Sequence, residues 1–213
     1  MIAAISMMKR RPDLTLAQFR KHWLDPHGVM TAELPRVRRY LQSHCIEHPA
    51  TNELARTLGI DGFPELWFDS IEDRRVAYTS PRIAECNIDS ELFVGAVCRL
   101  VTEPLNVVSM PAALREGGRK IIILGLGLPD PSWPAATQKR IAALPGVVGY
   151  SGHRLIEQAA APNSRIPELK VPVAGIAEAI FEDDAALSRS ADAVSGAVTE
   201  RTAIFVVEDT VFI

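Results

Sequence analysis

Cysteine is scarce in this chain. Three residues, Cys45, Cys86 and Cys98, lie far apart among 213. They form neither a CxxC pair nor a metal-finger spacing, which argues against a disulfide framework or a structural zinc site. We read them as reduced thiols of a cytoplasmic protein. Aromatic residues are only 6% of the chain, and the net charge is −3. With no basic stripe interleaved with aromatics, neither nucleic acid nor an anionic membrane is an expected partner. Long hydrophobic runs are missing too, the longest being IIILGLGLP at 121–129, far below membrane-spanning length. The opening MIAAISMMKRR has too short an apolar part for a secretory signal, and its charges follow that part. No HExxH, GxSxG or P-loop occurs. GLGLPD at 125–130 begins like a dinucleotide fingerprint, but Asp130 takes the third glycine's place. His44, Cys45 and His48 are close in sequence, but two of them point to opposite strand faces and Glu47 is the only carboxylate beside them, so no zinc site is expected there; no metal or other cofactor is expected.

What the chain does have is a repeat. LPRVRRYLQSHCI at 34–46 returns as LPGVVGYSGHRLI at 144–156, with five matches at an offset of 110. A second block, GFPELWFDSIED at 62–73, returns as GIAEAIFEDDAA at 175–186 at an offset of 113. Two blocks in one order indicate duplication. Each half reads βαββαβ. In the first, strands are expected at 2–8, 37–46, 63–68 and 96–108. Helices open at the Thr15–Gln18 capping box, at the Ser70–Asp73 capping box and at Ser80-Pro81. Asp25-Pro26 should break the first helix. In the second half, strands are expected at 120–128, 147–156, 173–181 and 202–212, with helices at 133–143 and 184–197. The boundaries are 1–108, a linker at 109–118, and 119–213. The last strand is apolar on both faces, so each sheet needs a cover. The expected fold is α+β: two ferredoxin-like repeats whose antiparallel sheets pack face to face as one intrachain barrel, able to hold a small ligand. Such a barrel needs no partner chain to close it, although a homodimer through outer surfaces stays open.

Residues 8–46, with basic residues and Pro12, then T-x-x-x-F-x-x-H-W, then His27 and L-P-x-x-x-x-Y, together with DGFPELWFDSIED at 61–73, resemble the EthD domain of the dimeric α+β barrel superfamily. The resemblance covers the first half; the second keeps LPxVxxY and loses the rest. It implies a ferredoxin-like barrel, with relatives that include muconolactone isomerases, cofactor-free monooxygenases acting on polyketide-like phenols, and haem-binding branches. It also implies that His27 is a pocket residue and a candidate acid/base.

Read from the residues, His27 follows the Asp25-Pro26 break and is either a helix-capping histidine or a proton-transfer group. Tyr40, Gln42 and His44 share one strand face. If that face lines the barrel, a phenol, an amide and an imidazole converge on one cavity. Tyr150 repeats Tyr40, which favours a fold-holding role for both, whereas Arg154 replaces His44 and Thr137 stands at the place of His27. His153 should point opposite to His44. One of Trp67 and Phe68 should face the barrel. Arg36, in a basic cluster with Arg38 and Arg39, is either a carboxylate-attracting group or a solvated turn. The leading expectation is a cofactor-independent enzyme that isomerises or cyclises a small oxygenated molecule (lactone, phenol or polyketide-like), with His27 as acid/base and Tyr40 and His44 orienting the substrate. Gln42, Trp67, Phe68 and Arg36 are the expected binding residues. The alternatives are a non-catalytic ligand-binding or stress-related barrel and, third, a cofactor-free or haem-associated monooxygenase.

Overall fold

The structure, a computed structural model, describes residues 1–108, 118–159 and 164–213. All of the 109–118 linker except Gly118 lies outside the described residues. The first half runs β1 (Ile2–Arg10), α1 (Leu16–His22), a wide turn (Trp23–Gly28), α2 (Val29–Ala32), β2 (Arg39–Cys45), α3 (Glu53–Leu58), β3 (Gly62–Phe68), α4 (Ile71–Tyr78), α5 (Pro81–Ser90) and β4 (Val94–Val108). The second runs β5 (Arg119–Leu126), α6 (Trp133–Ile141), β6 (Val147–Gln158), β7 (Val173–Phe181), α7 (Asp184–Arg189), α8 (Ala191–Gly196) and β8 (Thr202–Val211). The caps fall where the sequence places them. The Thr15 hydroxyl accepts from the Gln18 amide at 3.2 Å and Gln18 Oε1 accepts from the Thr15 amide at 2.9 Å. Ser70 and Ser80 cap α4 and α5. One helix expected at 184–197 is two, because Ser190 leaves helical geometry (φ −98°, ψ 4°) and its hydroxyl donates to the Pro145 carbonyl at 3.0 Å.

The eight strands close into a barrel in the order β1-β3-β2-β8-β5-β7-β6-β4. Each half contributes the ferredoxin-like order 4-1-3-2, and antiparallel pairs β2–β8 and β4–β6 join the halves. The strands are buried on both faces, one toward the barrel interior and one toward the helices. Ala3, Ile5, Met7, Phe63, Leu100, Ile122, Leu124 and Phe205 fill the interior, and α3 closes one end through Ala55, Leu54 and Leu58. No helix among the described residues is long and apolar enough to cross a membrane.

Among the described residues, buried side chains fill the interior together with an ion cluster. Lys120 Nζ lies 2.8 Å from Glu65 Oε1, 3.0 Å from Asp209 Oδ2 and 3.3 Å from Glu178 Oε1. Glu65 and Glu178 are the repeat-related pair from β3 and β7. Burial, reinforced by Glu178, raises the Glu65 carboxyl against the opposing pull of Lys120. His153 also points inside, fully buried between Thr102 (3.2 Å) and Ser151 (3.1 Å), and burial lowers it to about 4.

These shifts set a pH dependence. On unfolding, His153 and His44 (also about 4, from burial and then Arg20) return to 6.5 and each binds a proton between those values. His48 shifts in the same direction, through burial. Glu65, protonated in the fold above its ordinary 4.5, releases one instead. The unfolded state therefore binds more protons, and stability should fall by roughly 1.4 kcal/mol per pH unit on acidification within that window. Urea midpoints between these pH values measure the slope. H153Q should flatten it, and an unchanged slope would remove His153 from this account.

Candidate active site

The face carrying Tyr40, Gln42 and His44 does not line the barrel. Leu41, Ser43 and Cys45 face inward, and Tyr40, Gln42 and His44 face the helices, opposite to His153. A cavity lies on this outer side, between the sheet of the first half and the wide turn with helices α2, α4 and α5. Its volume is about 80 Å³, room for roughly five to eight waters or a small organic group. His27, Tyr40, Trp23, Tyr78, Cys86 and Arg99 are among its lining residues.

Local sequence aims His27 here. Proline forces the preceding residue out of the helical region, and Asp25 sits at φ −147°, ψ 120°. The chain steps aside after Trp23 and re-enters helix at Val29, turning His27 against the sheet and α5. Its ring is nearly buried and lies edge-on to Phe93 at 4.8 Å. His27 Nδ1 is 2.8 Å from Asp89 Oδ2, and His22 Nε2 is 3.0 Å from Asp89 Oδ1. Burial works to raise the Asp89 carboxyl, but the bonds from His27 and His22 outweigh it and hold it below 3.8. An ionised carboxylate only accepts, so both facing ring nitrogens carry hydrogen. A neutral His27 therefore keeps its lone pair on Nε2. Asp89 fixes tautomer and ring orientation, as a carboxylate does for a catalytic imidazole.

Tyr40 is fully buried, stacked on Phe212 at 4.9 Å, and its oxygen accepts from Gln42 Nε2 at 2.7 Å. Burial raises its pKa, so the phenol stays protonated. The other expected residues are elsewhere. Gln42 spends its amide on Tyr40 and on the Trp23 carbonyl at 2.6 Å. His44 packs on Trp23 at 4.4 Å, with Nε2 3.2 Å from Gln42 Oε1, and is not a lining residue. Trp67 points into the barrel beside His153 at 5.7 Å. Phe68 packs on Tyr78 at 6.3 Å outside the cavity lining. Arg36 is exposed in a left-handed turn, 4.0 Å from Asp73. Only His27 and Tyr40 of the seven reach the cavity.

Asp89 and Arg99 are the residues sequence reasoning missed. Asp89 sits on an α5 face shared with Cys86, a helix the Ser80-Pro81 cap already located. Arg99 interrupts VCRLV, alone between Val97 and Val101 on one strand face. A charge on an otherwise apolar face is a signal of its own.

Among its described residues the second half shows no histidine–carboxylate pair at the corresponding place. Trp133 stands at the 110-residue offset from Trp23. It lies so close over Gly125 and Gly175 that a Cβ on either would overlap its ring, as one on Gly62 would overlap Trp23. A groove of about 260 Å³ beside Trp133 and Thr137 has no histidine in its lining. A larger groove of about 540 Å³ near the α3 end of the barrel is lined by Lys9, Arg10, Arg56 and Asp61, without an imidazole.

Residues 11–96 match the family model for the EthD domain. No curated protein matches the chain by sequence. Three solved structures share the fold over nearly all of it. An anthrone oxidase-like protein is 9% identical with a TM-score of 0.63, covering 99% of this chain and 92% of its own. A "putative monooxygenase" from Lactobacillus acidophilus NCFM is 10% identical with a TM-score of 0.55, covering 99% and 94%. A protein of the same description from Fusobacterium nucleatum is 7% identical with a TM-score of 0.60, covering 99% and 93%. The EthD match spans most of the N-terminal repeat, including the turn that carries His27, and the whole chain has the α+β barrel fold of these structures.

Proposed function

We propose that this chain is a cofactor-independent enzyme that moves a proton on a small oxygenated organic molecule, with His27 as acid/base. The observation that carries this reading is the 2.8 Å bond from His27 Nδ1 to Asp89, which leaves Nε2 as the basic atom at the cavity. Substrate would lie between His27 and the sheet. Nε2 takes a proton from a carbon beside a carbonyl, or from a phenol, and returns it at a second position to complete an isomerisation or cyclisation. Tyr40, still protonated, donates to the carbonyl oxygen. Cavity size limits the reacting part to about one ring.

A second reading starts from the same step. A carbanion or phenolate formed by His27 is the electron-rich species that molecular oxygen attacks without a cofactor. The names of the full-length fold neighbours, anthrone oxidase-like and monooxygenase, favour keeping it.

Exchange in D₂O tests both. Small enolisable ketones and phenolic ketones, including anthrone, are followed by ¹H NMR for loss of the activated C–H signal, with an oxygen electrode alongside. Wild type should accelerate exchange. H27A should lose about 10²–10⁴-fold, the usual contribution of a general base, with D89N intermediate and both variants folded. Oxygen uptake in step with exchange selects the monooxygenase. Exchange unaffected by H27A removes the enzyme reading, and ligand binding without exchange leaves a binding barrel.

A further inference from the structure

Arg99 is a cation with little to satisfy it. It projects from β4 toward the helices, between Val97 and Val101, and lines the cavity that holds His27. Its one side-chain hydrogen bond among the described residues runs from Nη2 to Ser164 Oγ at 3.3 Å, and no carboxylate there lies within ion-pair distance of it. Burial lowers its pKa, yet a guanidinium stays charged at any working pH. A half-buried guanidinium with five donors and one weak acceptor is costly unless something else completes it. Tyr78, a neighbour in the lining, carries the Arg74 guanidinium 4.4 Å from its ring centroid, and Arg74, unlike Arg99, has a carboxylate partner, Glu157 at 3.8 Å. Glu168 acts on Arg99 from beyond ion-pair distance, and Asp89, beside the cavity, is already taken by His22 and His27. The cavity therefore has an imidazole in one wall and, in another, a guanidinium with no direct carboxylate partner among the described residues.

We propose that Arg99 is a ligand-binding residue that holds an anionic oxygen, and that the natural ligand is a small organic acid or acidic enol of about one ring. A carboxylate would meet the planar fork in two parallel hydrogen bonds. A carbonyl that becomes an enolate would be held more tightly as its charge develops, which is the interaction that speeds proton removal. The substrate class rests on the proton-transfer reading, but the anion site does not.

Calorimetric titration with benzoate and with the isosteric neutral benzamide tests the site. Wild type should bind benzoate at least about tenfold more tightly than benzamide, the difference one charge-assisted pair supplies. R99M, which keeps the apolar stem, should abolish the preference, and R99K should retain part of it. H27A should leave it in place. Equal affinities for the two probes, no saturable benzoate binding, or a preference that survives in R99M would each overturn the proposal. The wild-type comparison decides even where R99M fails to fold. A benzoate preference without deuterium exchange would sink the base reading alone, and exchange without the preference would sink this one alone.

Discussion

K120M should destabilise the protein by about 3–5 kcal/mol, the cost of removing one partner from a buried ion pair. Among the described residues Lys120 is the one cation bonded to the buried Glu65 and Glu178 and to Asp209 at their outer side. Without it the buried Glu65 faces Glu178 and the more exposed Asp209 with no cation between them, and Glu65 and Glu178 must take protons or force the strands apart. The pH response then inverts. Carboxylates whose pKa is raised in the fold contribute stability below their unfolded value and lose it as pH rises through the folded one. Wild type should weaken on acidification from pH 6.5, whereas K120M should strengthen. Urea midpoints of both proteins across that range provide the measurement, and parallel pH profiles would show that Lys120 does not neutralise the cluster.

The second large effect is expected at Trp23. The residue is fully buried, 5.5 Å from Phe19 and 4.4 Å from His44 between ring centroids, and its ring lies directly over Gly62. W23A should cost about 3–5 kcal/mol and enlarge the cavity beside His27. G62A should cost about 1–3 kcal/mol by overpacking. The two should not add, because with the indole gone the new methyl group has room. Additive losses would mean that Gly62 is required for its backbone and not for the ring above it.

The contrast between fold and site shows how far a sequence of this kind can be read. Caps at Thr15, Ser70 and Ser80 are local hydrogen-bonding patterns, so they are visible in a few letters. The duplication is visible because Tyr40 and Tyr150, or Gly62 and Gly175, solve the same packing problem twice. The Trp23–Trp133 pair belongs to the same evidence and extends it into the helices. The side on which the ligand cavity lies is a different matter. Alternation puts Tyr40, Gln42 and His44 together, but β2 is buried on both faces, so hydrophobicity has no sign to give. His44 shares the face of Tyr40 and ends up in packing against Trp23. Asp89 reaches His27 from 62 residues away, and no local pattern encodes that distance. Arg99 was legible in principle, as a charge set among valines and leucines.

Closure of the ring through β2–β8 and β4–β6 leaves no strand among the described residues without a neighbour on each side. Copies of this protein cannot join by extending one another's sheets, and neither half can trade its partner without breaking two seams at once. Among the described strands, fibril growth from the native state has no open edge to start on.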